Sequence, residues 1–115
     1  MKLRIAADSI RFRLTPEEAS SLSASGKIEN VLRFGPAAGQ SLTYALESSA
    51  ECSKMEAAFD GHLIKVVLPQ KLVSDWASGT ELAMERIQTA GAGTQVKIIV
   101  EKDLKLLRGT RATSC

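Results

Sequence analysis

Residues 2–26 read KLRIAADSIRFRLTPEEASSLSASG. Leu3 and Ile5 alternate with Lys2 and Arg4. After Ala7-Asp8-Ser9, Ile10, Phe12 and Leu14 alternate with Arg11 and Arg13. A period of two sends successive side chains to opposite faces of a strand. Two such runs broken by turn residues therefore read as a β-hairpin with one buried and one wet face. Thr15 is a helix cap and Pro16 suits the first turn, while Glu18 completes a capping box with Thr15. Glu17 and Glu18 suit the positive end of the helix dipole. Ala19 and Leu22 form a narrow apolar stripe and Gly26 is a natural stop, which predicts a short helix over about residues 16–24.

Working outward, KIENVLRF (27–34) places Ile28, Leu32 and Phe34 in one phase, with polar Asn30 as the flaw in a strand. GPAAGQ (35–40) is a loop, and SLTYALES (41–48) is a fourth strand with Leu42, Tyr44 and Leu46 on one face. The same order then returns. Met55, Ala57 and Phe59 alternate with Glu56, Ala58 and Asp60. Asp60-Gly61 is a hairpin signal, and LIKVVLP (63–69) is a strand. QKLVSDWASG (70–79) carries Leu72, Val73 and Trp76 at helical spacing. TELAMERI (80–87) predicts a strand, although its Ala, Met and Glu are weak strand formers, and QVKIIVEKD (95–103) predicts another.

The pattern is ββαββ written twice, with halves of about 1–49 and 53–103. At an offset of 53 or 54, Leu14 matches Leu68 and Ala24-Ser25-Gly26 matches Ala77-Ser78-Gly79. Neither half buries both faces of its own sheet. The predicted fold is a single α+β domain over 1–104, strand-rich and barrel-like with two short helices, because closure removes sheet edges. Residues 105–115 are expected to form a flexible tail.

The 115 residues, 44% hydrophobic and 24% charged, suffice for one core. No apolar run reaches the ~20 residues of a membrane helix. The charged start is not a signal peptide, so the expected location is the cytoplasm. Cys52 and Cys115 are expected to be reduced thiols, since two lone cysteines in a chain of that location seldom form a disulfide.

KLRIAADSIRFRLTPEE, RFG, LTYALE and VEKDL occur in this order between residue 2 and about residue 104. They resemble an uncharacterised bacterial family of short proteins that open K-I-R-I-x-G-N-S-I-R-L-R-L-T and carry F-G, L-T-Y-A-L and V-E-K-D-F. Its members usually have Cys two residues beyond the last motif, where Leu106 stands here. They often end in an acidic tail with Pro-Asn-Pro, where this chain has RGTRATSC. No activity is assigned to that family, so the resemblance implies none. IKVVLPQKLVSDWASGTEL (64–82) also looks like the strand–helix–strand unit of swapped-hairpin transcription factors of the AbrB type, though generic ββα geometry explains it as well.

The polar feature that stands out is the basic hairpin. Lys2, Arg4, Arg11 and Arg13 should share one face, where four like charges repel unless solvated or paired. One reading is a wet face matched by Glu29, Glu47 or Glu101 on neighbouring strands. The other is a binding face for an acidic protein, a phosphate or nucleic acid, without the exposed aromatics that single strands want. Net charge, at +2, decides nothing. The glycine loops lack the Gly-Lys-Ser/Thr ending of a phosphate cradle. SSLSAS lacks a nucleophile elbow. His62, the single histidine, follows a turn without partner ligands, so no metal or cofactor is expected. Glu17-Glu18 and Glu81 with Glu85 are the carboxylate pairs. Helix capping accounts for the first, and acid–base work by either needs a cleft. Trp76 reads as core, and a buried Tyr44 needs a hydroxyl partner.

The expectation is therefore a non-enzymatic interaction module acting through Lys2, Arg4, Arg11 and Arg13, as a monomer or homodimer and with no membrane. The alternatives are a DNA-binding regulator of the swapped-hairpin kind, and a small-molecule binder or enzyme whose site inside the barrel uses carboxylates and Tyr44.

Overall fold

The computed structural model describes residues 1–103; the expectations for the tail, Leu106 and Cys115 lie outside the described residues. The elements run β1 (Lys2–Ile5), β2 (Ser9–Leu14), α1 (Pro16–Ser25), β3 (Lys27–Arg33), β4 (Ser41–Ser49), β5 (Glu56–Asp60), β6 (Leu63–Pro69), α2 (Gln70–Ser78), β7 (Ala83–Thr89) and β8 (Gln95–Lys102). Among the described residues, eight strands and two helices make an α+β fold.

The strands form two separate four-stranded sheets, ordered β1-β2-β8-β7 and β3-β4-β6-β5. This corrects the expectation of a closed barrel: no ladder joins one sheet to the other among the described residues. Each sheet is built from two antiparallel hairpins whose inner strands run parallel, β2 beside β8 and β4 beside β6. The N-terminal hairpin thus pairs with the C-terminal one, and the two middle hairpins pair with each other. Parallel β4 and β6 are joined through β5, while each helix carries the chain from one sheet to the other, α1 from β2 to β3 and α2 from β6 to β7.

Alternation decides which faces meet. Ile10, Phe12 and Leu14 of β2 are buried, as are Ile98 and Val100 beside them on β8 and Leu46, Val66 and Leu68 on the second sheet. Leu22 of α1 and Val73 and Trp76 of α2 join the same cluster. Burying one such side chain is worth about 1.5–3 kcal/mol. The Trp76 indole N–H donates to the Leu82 carbonyl at 3.1 Å, and Lys102 lies 5.6 Å from the ring centroid. The Leu82 carbonyl also accepts the Lys102 N–H. With Leu82 tied to the end of α2, regular β7 begins at Ala83 and runs on to Thr89, later than the sequence suggests.

Helix α1 follows its signals. Thr15 Oγ1 accepts the Glu18 N–H and the Glu18 carboxylate accepts the Thr15 N–H, both halves of the box. The other Glu18 oxygen receives the amino group of Met1. Partial burial works to raise the pKa of this carboxyl. The hydrogen bonds from the Met1 ammonium and from Thr15 outweigh it and hold the carboxyl below its ordinary range. Gly26 closes the helix at φ 85°, a left-handed conformation that suits glycine. Tyr44 is half-buried and its hydroxyl donates to the Met1 carbonyl at 3.4 Å, the partner a buried tyrosine requires.

The sheets part at the end away from the helices. Phe34 lies beyond β3 and is 73% exposed, whereas Phe12 is fully buried. Asn30 is exposed on an edge strand, so its polar side chain costs the core nothing.

Candidate functional site

The β1/β2 register sets Lys2 opposite Arg13 and Arg4 opposite Arg11. All four expected site residues therefore share the outer face of the first sheet. β8 and β7 extend the rows. Arg13 is followed by Glu101 and Ala83, Arg11 by Ile99 and Glu85, and Ser9 by Lys97 and Ile87. Lys2, Arg4, Arg11, Arg13 and Lys97 thus share this face with Glu85 and Glu101, and Asp103 lies just past the end of β8 beside Lys2. Lys97 was not singled out by sequence reading, because only the parallel β2/β8 pairing brings β8 beside the basic hairpin.

Glu101 is the chief counter-ion. Its Oε1 lies 3.1 Å from Arg11 Nε and 3.6 Å from Arg13 Nη2. The same oxygen is buried and accepts no aligned hydrogen bond, so the contact is an ion pair of poor hydrogen-bond geometry. Lys2 Nζ lies 3.9 Å from Asp103, and Lys97 Nζ 3.7 Å from Glu85. Glu29 and Glu47, the other expected partners, lie in the second sheet, where they approach Lys27 and Lys65. Arg4 is exposed and has no carboxylate partner among the described residues. With Ala6, Ser9 and Arg11 it lines a depression of about 280 Å³. Ile99 is only 5% exposed although it points outward. Its ladder neighbours are Arg11 and Glu85, whose long side chains can lie over it.

The second sheet does not reproduce this face. Lys65 stands opposite Ala58 and beside Ala45, and the outer positions alternate in sign with Glu29, Glu47 and Glu56.

The other expected chemistry is dispersed. Glu18 is engaged in the cap, and Glu81 is exposed ahead of β7. His62 is exposed beside Gly61, and its carbonyl accepts the Thr43 N–H. Among the described residues, no three His, Cys, Asp or Glu side chains gather as metal ligands would. Cys52 is a free thiol whose Sγ donates to the Lys54 carbonyl. Between the parted sheets lies a cleft of about 370 Å³, lined by Ile5, Ile10, Phe59, Ile64 and Val96 with Gln88. Neither Tyr44 nor a carboxylate lines it. Among the described residues, no helix is long and apolar enough to cross a membrane.

Fold and face together define a two-sheet α+β chain with one asymmetric, cation-rich outer surface. The chain matches a family of unknown function (DUF7009) over residues 1–114 and belongs to that family. No curated protein and no solved structure matches it.

Proposed function

We propose that the protein is a non-enzymatic binding module whose first sheet receives an acidic segment of a partner protein. The observation that carries this is Arg4. It stands opposite Arg11 without a carboxylate of its own, and both line a depression that also offers the Ser9 hydroxyl. A guanidinium fork matches a carboxylate in plane and charge. Ile87, exposed on the row of Ser9 and Lys97, adds an apolar contact. Glu85 and Glu101 on the same face oppose a continuous run of phosphates, which favours a peptide over a nucleic-acid backbone.

A second reading is a DNA-binding regulator of the swapped-hairpin kind. What supports it is the exchange of hairpins between sheets and a repeated ββαββ plan. β2 pairs with β8 at Ile10 and Ile98, and β6 pairs with β4 at Ile64 and Tyr44, each residue displaced by 54 from its counterpart.

Titration of the protein with a polyglutamate peptide and with duplex DNA, at low and raised salt, tests both readings. Arg4→Ala combined with Arg11→Ala should weaken polyglutamate binding by about tenfold or more. Unchanged binding by the double variant overturns the assignment of this face. Tighter binding of duplex than of peptide favours the second reading.

A further inference from the structure

Four strands end the two sheets, and they are not equally protected. The Ala57 N–H and carbonyl of β5 are held by the Gln88 side chain, and β1 is only four residues long. β3 is a regular seven-residue strand without proline or bulge, and its exposed side chains include Val31, Leu32 and nearby Phe34. Such an edge is a template for another strand.

The outward-facing groups of β3 can be assigned. Phe34 N–H donates to Gln40 and the Gly26 carbonyl accepts from Ser48, both in the β3/β4 register. The even-numbered residues therefore bond to β4. By the alternation of an antiparallel ladder, Glu29, Val31 and Arg33 direct N–H and C=O out of the sheet. Lys27 differs, because its carbonyl already accepts the Ser25 hydroxyl.

We infer that β3 pairs antiparallel with β3 of a second copy, about a two-fold axis at Val31. In that register Val31 meets Val31 of the second copy, and Glu29 meets Arg33 of the second copy on both sides of the axis. All six outward N–H groups of the two strands then find carbonyls. The opposed side chains on the outer face are one apolar pair and two ion pairs, while on the inner face exposed Phe34 meets Ile28. Centring on Glu29 would oppose two carboxylates. Centring on Asn30 would oppose Lys27 to Arg33, and centring on Leu32 leaves Arg33 opposite Val31. Centring on Ile28 also opposes Lys27 to Glu29, but it overlaps only the start of each strand and needs the Lys27 carbonyl that Ser25 already occupies. Charge and ladder length together therefore choose the Val31 register, which opposite-charge pairs favour and like-charge pairs penalise. β7 offers no equivalent. Its outer face carries Glu85, and no two-fold register sets that residue opposite a cation. The interface is isologous and closes at two copies, joining the second sheets into one of eight strands.

Sedimentation equilibrium of the full chain over a concentration series should show a species of about twice 12.3 kDa. Val31→Pro removes an outward N–H and no bond to β4, so it should leave a folded monomer. Glu29→Arg and Arg33→Glu should each weaken the dimer by about tenfold, because each places two like-charge pairs across the axis. The two changes together should restore it. The charge variants lie on an exposed face, so they decide the matter even if Val31→Pro fails to fold. A monomer mass for the unaltered chain at every concentration overturns the inference. So does a dimer indifferent to both single reversals.

Discussion

Phe12 and Phe34 stand in the apolar phase of their strands and read alike in the sequence, yet one is fully buried and the other largely exposed. Phe12→Ala should cost about 3–5 kcal/mol, the usual range for a buried phenylalanine. Phe34→Ala should change stability by no more than about 0.5 kcal/mol. Urea unfolding of the two variants checks this, and a cost for Phe34→Ala approaching that of Phe12→Ala would mean the sheets do not part at that end. The difference was not legible because a period of two names a face without saying how far along the strand that face is covered. The same limit applies to the cations. Alternation placed Lys2, Arg4, Arg11 and Arg13 on one face and named Glu101 among their counter-ions. It could not separate Glu101 from Glu29 and Glu47, since strand order alone decides which carboxylate lies beside β2. Nor could it show that Arg4 is left over once Glu101 and Asp103 have been matched.

Elements whose signals are chemical were the most legible. The capping box of α1 and the glycine at its end are local hydrogen-bond devices, and the helix follows them to within a residue. β7 was less legible, because its start is fixed by Trp76 and Lys102 meeting at the Leu82 carbonyl, contacts that no window of sequence contains. Edge protection is the other element-scale property that needed the fold. Gln88 occupies an inward position of β7, where an apolar residue is the simple expectation. There its Oε1 accepts the Ala57 N–H at 2.8 Å and its Nε2 donates to the Ala57 carbonyl at 2.9 Å. Arg86, two residues earlier, donates to the Met55 carbonyl at 2.6 Å. These two side chains tie the edge of the second sheet to the edge of the first. Gln88→Ala removes a donor and an acceptor from a partly buried backbone, a loss of about 1–3 kcal/mol. Amide exchange at Ala57 should accelerate by about tenfold or more, with Leu46 and Val66 unaffected. Unaltered exchange at Ala57 would show that β5 is held by its ladder with β6 alone.

At the scale of the whole molecule, strand order sets what counts as a folding unit. The sequence reads as two consecutive ββαββ segments, neither of which buries both faces of its own sheet. The ladders show how each completes the other. β2 takes β8 as its parallel neighbour and β4 takes β6, so every sheet draws one hairpin from each side of the turn near Ala50. The buried cluster is likewise shared, with Phe12, Leu22 and Leu46 from the first side and Val66, Trp76 and Val100 from the second. A fragment of residues 1–50 therefore holds two hairpins and a helix with no sheet to complete, and the same is true of residues 51–115. An isolated hairpin is marginal in water, because its apolar face has nothing to cover it. A break at this turn cuts no ladder, so covalent continuity there contributes only loop closure. Expressed separately, neither fragment should give a folded monomer, and any folded species should contain two fragments. Mixed in equal amounts, they should recover the far-ultraviolet circular dichroism of the intact chain in a complex containing one of each, with a midpoint that rises with concentration. A cooperative, monomeric unfolding transition in either fragment alone would show that one ββαββ segment completes its own core, and that the exchange of hairpins between the sheets is not what holds the molecule together.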